Sequence, residues 1–268
     1  METTILRHRA VWTFLRRSVG GILKHIFGFE CETVRPRARP YLVLSNHNTD
    51  LDPALIALSF PEHMYFVASE HVFRKGFVSW LLTFFFGPIS RMKGTTDATA
   101  ALSVIRQIRK GRNVCLFAEG NRSFNGVTGP IFPATGKLAK ATGAALVTYR
   151  LVGGYLTTPR WGHSIRKGHM RGFCVNVYTP EQLKSMAPEE INRHIREDIA
   201  EDAFERQMFK PYRFRGKGLA EGLENALYFC PKCGRVGTLK SSGNRFFCAC
   251  GLNVTYTETG FFEGEDVP

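Results

Sequence analysis

Between Ile5 and Phe27, Trp12, Leu15, Val19, Ile22, Leu23 and Ile26 recur at the three- and four-residue spacing of a helix. Arg9, Arg16, Arg17 and Lys24 accompany them, and Gly20-Gly21 marks a break into two helices. The pattern then alternates. Tyr41–Ser45, Met64–Ala68, Asn113–Ala118, Ala145–Leu151 and Phe173–Tyr178 read as short apolar strands. Ala98–Lys110, closed by Gly111, reads as a helix, as do Gly136–Thr142 and the polar stretch Pro188–Phe209. Asp52-Pro53 has the form of an N-cap followed by proline at the first helical position. Strands alternating with helices predict an α/β fold with a mixed, largely parallel sheet flanked by helices. The expected organisation is amphipathic helices at 1–30, a main domain at 31–210, a basic, glycine-bearing linker at 211–225 and a small cysteine-bearing unit at 226–262.

Charge sharpens this picture. Lys+Arg 36 against Asp+Glu 23 gives a net charge of +13 over 268 residues, while 44% hydrophobic residues exclude global disorder. Such a surface suits anionic partners: nucleic acid, anionic lipid headgroups or acidic carrier proteins. The basic N-terminal helices fit a membrane interface, although packing on their own domain explains the same pattern. The longest apolar stretch, Phe77–Phe86, is broken by Ser79 and Thr83. It falls short of the ~18 residues a spanning helix needs, so it reads as a buried or interfacial segment. Arg16 and Arg17 interrupt any signal-peptide core. A cytoplasmic location is therefore expected, and isolated Cys31, Cys115 and Cys174 read as reduced core residues.

Candidate chemistry begins after the first central strand, in Asn46-His47-Asn48-Thr49-Asp50-Leu51-Asp52. The loop can fold the Asp52 carboxylate onto one nitrogen of His47, leaving the other to accept a proton. This is the base-and-orienter half of a catalytic triad, with a substrate hydroxyl in place of an enzyme nucleophile. Asp50 is a second candidate partner, read as a solvated neighbour. Phe117-Ala118-Glu119-Gly120-Asn121-Arg122-Ser123 again follows a strand. Gly120 permits a tight turn with N–H groups facing an anion, and Arg122 offers a charged fork suited to phosphate. Arg91 ends the apolar segment Gly87–Arg91 and is a third ligand candidate.

In this order and spacing, the segments resemble the glycerolipid acyltransferase family that includes 1-acylglycerol-3-phosphate acyltransferases. Asn46, His47 and Asp52 match its N-H-x4-D motif, Gly87–Arg91 its glycine-to-arginine segment, and Phe117–Ser123 its F-P-E-G-T-R-S motif. The family proline is Ala118 here, the family threonine is Asn121, and Leu146–Arg150 lacks the proline of the fourth motif. The resemblance implies that His47 is the general base and Asp52 its orienter. Asn46, Arg91, Glu119, Gly120, Arg122 and Ser123 then organise a phosphorylated acceptor. It also implies an acyl-CoA or acyl-carrier-protein donor, a lysophospholipid acceptor, and N-terminal helices docked on an anionic membrane surface. The expected location is accordingly cytoplasmic, peripheral on the inner face of the cell membrane. Three ordered motifs argue against nucleic acid as the main partner.

Cys230-Pro231-Lys232-Cys233-Gly234 and Cys248-Ala249-Cys250-Gly251 stand apart from those motifs. Four thiolates at this spacing read as a closed, structural zinc site in a zinc ribbon, with rubredoxin-like iron the main competitor. Between the pairs, Val236–Lys240 and Arg245–Phe247 flank a turn-rich Ser241–Asn244 and predict a hairpin. A segment this small needs the metal to fold.

Overall fold

The computed structural model describes residues 2–69, 76, 80, 83–84, 86–91 and 98–265. Helices α1 (Glu2–Ser18) and α2 (Gly20–Phe27) lead into a short strand β1 (Phe29–Cys31). Strands β2 (Tyr41–Ser45), β3 (Met64–Ser69), β4 (Ile89–Arg91), β5 (Asn113–Phe117), β6 (Ala145–Val152) and β7 (Met170–Tyr178) complete a seven-stranded sheet in the order β1-β7-β6-β2-β5-β3-β4. Pairing from β6 through β2, β5 and β3 to β4 is parallel, while β7 runs antiparallel to β6 and parallel to β1. The expected mixed, largely parallel sheet is thus the observed one.

Alternation along β2 explains the layers. Tyr41 and Val43 face a core shared with Trp12, Phe27, Leu55 and Ile56, so α1, α2 and helix α3 (Asp52–Ser59) cover that side. Leu42 and Leu44 face the opposite core. There Val104 and Ile108 come from α4 (Ala98–Arg109), Ala139 from α5 (Ala134–Thr142), and Ile191 and Ile195 from the helix Pro188–Ile199. Because both faces are covered, the central strands are apolar throughout rather than alternating with polar residues.

The N-terminal helices pack on their own domain and leave apolar residues exposed on their outer side. Trp12 is buried and donates Nε1–H to the Phe60 carbonyl at 3.1 Å. Leu6, Phe14, Ile22 and Ile26 point outward among the exposed Arg9, Arg17 and Lys24. No described helix is long and apolar enough to cross a membrane. In the Phe77–Phe86 stretch, Trp80 and Phe84 are exposed and stacked, with centroids 5.3 Å apart. Arg7 lies over the Phe84 ring at 3.7 Å. Residues 77–79, 81–82 and 85 lie outside the described residues.

The polar stretch Pro188–Phe209 is two helices, not one. Pro188–Ile199 ends at Ala200, and Asp202 caps Ala203–Phe209 by accepting from the Phe204 and Glu205 N–H groups, both at 3.0 Å. The segment 211–225 is anchored by buried residues between exposed ones. Phe214, Leu219, Ala220 and Leu223 are buried, the last three in a core with Cys230, Phe246 and Val254. Beyond it, β8 (Leu239–Ser242), β9 (Arg245–Cys248), β10 (Asn253–Tyr256) and β11 (Phe262–Glu263) form an antiparallel sheet, with the expected hairpin at its start.

Candidate active site

Two adjacent central strands end level with each other. β2 and β5 pair in parallel with Ser45 opposite Phe117, so the loops carrying His47 and Glu119 leave the sheet side by side. This is the carboxyl edge of a parallel sheet, where α/β folds collect ligands. The backbone N–H of His47 donates to Glu119 Oε1 at 2.7 Å, and the Ser123 N–H donates to the His47 carbonyl at 2.8 Å. The two loops are therefore one hydrogen-bonded unit.

Within that unit, Asp52 Oδ2 lies 2.8 Å from His47 Nδ1. The carboxylate is fully buried and four donors converge on it. Oδ2 also accepts from the N–H groups of Asn48 (2.6 Å) and Thr49 (2.9 Å), and Oδ1 accepts from the Thr49 hydroxyl (2.6 Å). Asp52 is consequently not the helix cap its sequence position suggested. Leu51 occupies that position without a side-chain cap, and Asp52 turns back onto its own loop from the first turn of α3. The imidazole stacks on Phe117, with centroids 4.1 Å apart and planes 15° from parallel. The ring is thus held at one nitrogen and one face. Among the described residues, Nε2 has no partner, and the side chain is 19% exposed.

The neighbouring residues divide into positioning groups and open groups. Asn46 is fully buried, donating Nδ2–H to the Leu151 carbonyl and accepting the Leu151 N–H. It fastens the β2 end to β6 and does not face the cleft expected of a substrate ligand. Ser123 likewise spends its hydroxyl on the Val127 carbonyl and the Gly126 N–H. Gly120 adopts φ 72°, the turn expected of glycine, but its N–H goes to the Phe117 carbonyl. The N–H groups of Asn121 and Arg122 have no partner among the described residues. Arg122 donates Nε–H to the Asn48 carbonyl (3.1 Å), Nη2–H to the Thr158 carbonyl (2.9 Å) and Nη1–H to Asp50 (2.7 Å). Asp50, 83% exposed, holds the outer edge of that fork. A cavity of about 420 Å³ opens beside Glu119, Asn121 and Arg122 and is walled by Pro130, Ile131 and Phe132. Arg91 ends β4 opposite Ser69. Its backbone lies on the same sheet edge two strand spacings from β5, roughly 10 Å away; its side chain lies outside the described residues. Thr49, Thr158 and the stacking role of Phe117 escaped the sequence reading. They act through a backbone turn, a carbonyl and a ring face that no residue spacing advertises.

Glu119 is buried, and burial pushes its carboxyl up to about 7, while the N–H groups of Gly129 (2.6 Å) and His47 pull it down. The native protein thus holds this proton more tightly than the unfolded chain, whose carboxyl titrates near its ordinary value. Stability from this group falls as pH rises from about 4.5 to about 7 and is flat above, by roughly 3 kcal/mol. Glu119→Gln is expected to remove that slope from a series of urea denaturation midpoints. An unchanged slope would assign the titration to another group.

The four cysteines meet in the C-terminal unit. Their sulfurs all lie within 4.8 Å of one another, with Cys230–Cys250 at 3.7 Å and Cys233–Cys248 at 3.9 Å. Thiolates at 2.3 Å from a tetrahedral ion stand about 3.8 Å apart, so the set could hold a metal ion. Disulfides would need sulfurs near 2.05 Å.

A strand-end imidazole oriented by a buried carboxylate, beside a guanidinium fork, is an arrangement that can take a proton from a hydroxyl and pair with an anion. Residues 28–152 match the family model described as Acyltransferase. A chloroplastic 1-acyl-sn-glycerol-3-phosphate acyltransferase of Brassica napus is 27% identical over 115 residues, 42% of this chain. That match spans a third of the relative's length. The crystal structure of the 1-acyl-sn-glycerophosphate (LPA) acyltransferase PlsC from Thermotoga maritima shares the fold, with a TM-score of 0.56 and 18% identity over 71% of this chain and 75% of that one. Over residues 28–152, just under half of its length, the chain is thus similar to the acyltransferases.

Proposed function

We propose that the chain transfers a fatty acyl group from acyl-CoA or acyl-carrier protein to the free hydroxyl of 1-acylglycerol-3-phosphate at a membrane surface. The observation that carries this reading is the His47–Asp52 pair, with Nε2 open on the strand edge that also bears Arg122. The acceptor hydroxyl gives its proton to Nε2 as its oxygen attacks the thioester carbonyl. An ester C–O bond forms, the C–S bond breaks, and the imidazolium returns the proton to the departing thiolate. Asp52 fixes the proton-bearing nitrogen and stabilises the imidazolium. The N–H groups of Asn121 and Arg122 are candidates for the developing oxyanion or the phosphate. Outward Leu6, Phe14, Ile22 and Ile26 among basic residues support docking of the N-terminal helices on anionic lipid. The cysteine set is read as a structural zinc site with no open position.

The test is release of free thiol from palmitoyl-CoA by the purified chain, with and without lysophosphatidic acid, on anionic vesicles. Acceptor-dependent release is expected; none would remove the assignment. Asp50 gives the same assay a second use. Its carboxylate occupies the Nη1 edge of Arg122 that a phosphate would take. Asp50→Asn should therefore lower the KM for lysophosphatidic acid, by up to about fivefold given the small worth of exposed ion pairs. A raised KM would show that Asp50 holds the guanidinium ready rather than blocking it.

A further inference from the structure

A four-residue helix, Gly154–Thr157, stands between the catalytic loops and the C-terminal unit. On its front, Gly154 packs so closely on the first loop that a Cβ there would lie 2.8 Å from Asn48 Cβ and 3.2 Å from Thr49 Cγ2. Just past its end, the Thr158 carbonyl accepts from Arg122 Nη2. On its back, Leu156 lies against Gly260 of the C-terminal unit, and Trp161 meets Tyr256 edge-on at 5.6 Å.

Arg166 ties the two sides together. Its N–H donates to the Thr157 carbonyl at 2.8 Å, and Nη2–H donates to the Leu219 carbonyl at 2.6 Å. Its guanidinium lies 4.9 Å from the Trp161 ring centroid and 5.5 Å from that of Tyr256. The side chain is almost fully buried, Nε has no hydrogen-bond partner, and no described carboxylate pairs with it. A buried cation without an acid is costly; a carbonyl and two aromatic faces offset part of that cost. If packing alone were the role, methionine would fill the same volume without desolvating a charge.

We propose that Arg166, gripped by the C-terminal ribbon, is a positioning residue for Arg122. It fixes the Thr157–Thr158 turn, whose carbonyl seats the guanidinium that binds the acceptor phosphate. The proposal rests on the reading of Arg122 given above. The ribbon then braces the acceptor site of a domain whose matched family segment ends at residue 152. The brace touches the phosphate-binding side chain and not the imidazole, so it sets acceptor affinity rather than the rate of the bound complex.

The experiment compares full-length wild type, Arg166→Met and Arg166→Lys with palmitoyl-CoA as donor. Acceptors are lysophosphatidic acid and, lacking the phosphate, monoacylglycerol. Arg166→Met is expected to raise the KM for lysophosphatidic acid about tenfold, the worth of one hydrogen bond to a charged group. The kcat stays within about twofold, and the KM values for palmitoyl-CoA and monoacylglycerol do not move. Arg166→Lys, which keeps a cation and a donor, falls between, and serves if the methionine variant does not fold. In an Arg122→Gln background the effect of Arg166→Met disappears. An unchanged KM, or equal rises for both acceptors, overturns the proposal. Amide hydrogen exchange over residues 120–129 gives a readout without turnover. Faster exchange there in Arg166→Met supports the brace, and unchanged exchange refutes it. Should wild type leave lysophosphatidic acid untouched, the acyltransferase reading fails while the exchange result still decides the brace.

Discussion

His47→Ala lowers acceptor-dependent thiol release by about 10²–10⁴-fold, the range a positioned general base contributes. The geometry argues for the upper part of that range. The imidazole is held at Nδ1 by a carboxylate with four donors, and along one face by Phe117. Nothing else in the described site offers an aligned base. Glu119 is buried, with both oxygens spent on backbone N–H groups, and Asp50 is tied to Arg122. His47 is a loop residue whose side chain ends no hydrogen-bond network beyond Asp52, so the variant should fold and melt like wild type. Circular dichroism and the thiol assay together check this. Equal transfer rates with an unchanged melt would end the catalytic assignment.

The second large effect concerns the cysteine set. Chelation, or Cys233→Ala, is expected to unfold the C-terminal unit outright. Its strands are four, four, four and two residues long, and the three-residue helical turn Leu223–Asn225 covers them only in part. So small a core cannot offset the entropy of ordering its chain. Structural zinc in units of this size supplies roughly 10–16 kcal/mol. The result should be one zinc per chain by mass spectrometry, lost in Cys233→Ala. A red shift of Trp161 emission should follow, because that ring is buried against Tyr256. A metal-free chain with an unshifted melting profile would show that the apolar core suffices.

Much of this architecture was legible because burial writes itself into composition. Tyr41–Ser45 and Asn113–Phe117 are buried nearly throughout, and uninterrupted apolar runs mark them. The motifs that follow them sit where strand ends must sit. Strand β1 was not legible: Phe-Glu-Cys has no pattern, and it forms because Phe29–Cys31 meets Met170–Gly172 far along the chain. The break after Ile199 was written in Asp202, a capping residue inside a stretch read as continuous. At the site, residue types gave the acid, the base and the arginine. They did not reveal that Asn46 and Ser123 serve the backbone, because a polar side chain after a strand looks the same facing a ligand or a carbonyl. Segment 211–225 read as a linker because it is basic and glycine-bearing. Its Phe214, Leu219 and Leu223 were the counter-signal.

Strand β7 has a consequence for anyone who would cut this protein down. The segment shared with the acyltransferase family stops at residue 152, at the end of β6. A chain trimmed there would leave the outer side of β6, from Leu146 to Val152, with its N–H and C=O groups unpaired. It would also strip β1 of β7, its one neighbour among the described residues. Open apolar edges of that kind recruit other chains. Such a fragment is expected to aggregate, although it contains the proposed catalytic pair His47 and Asp52.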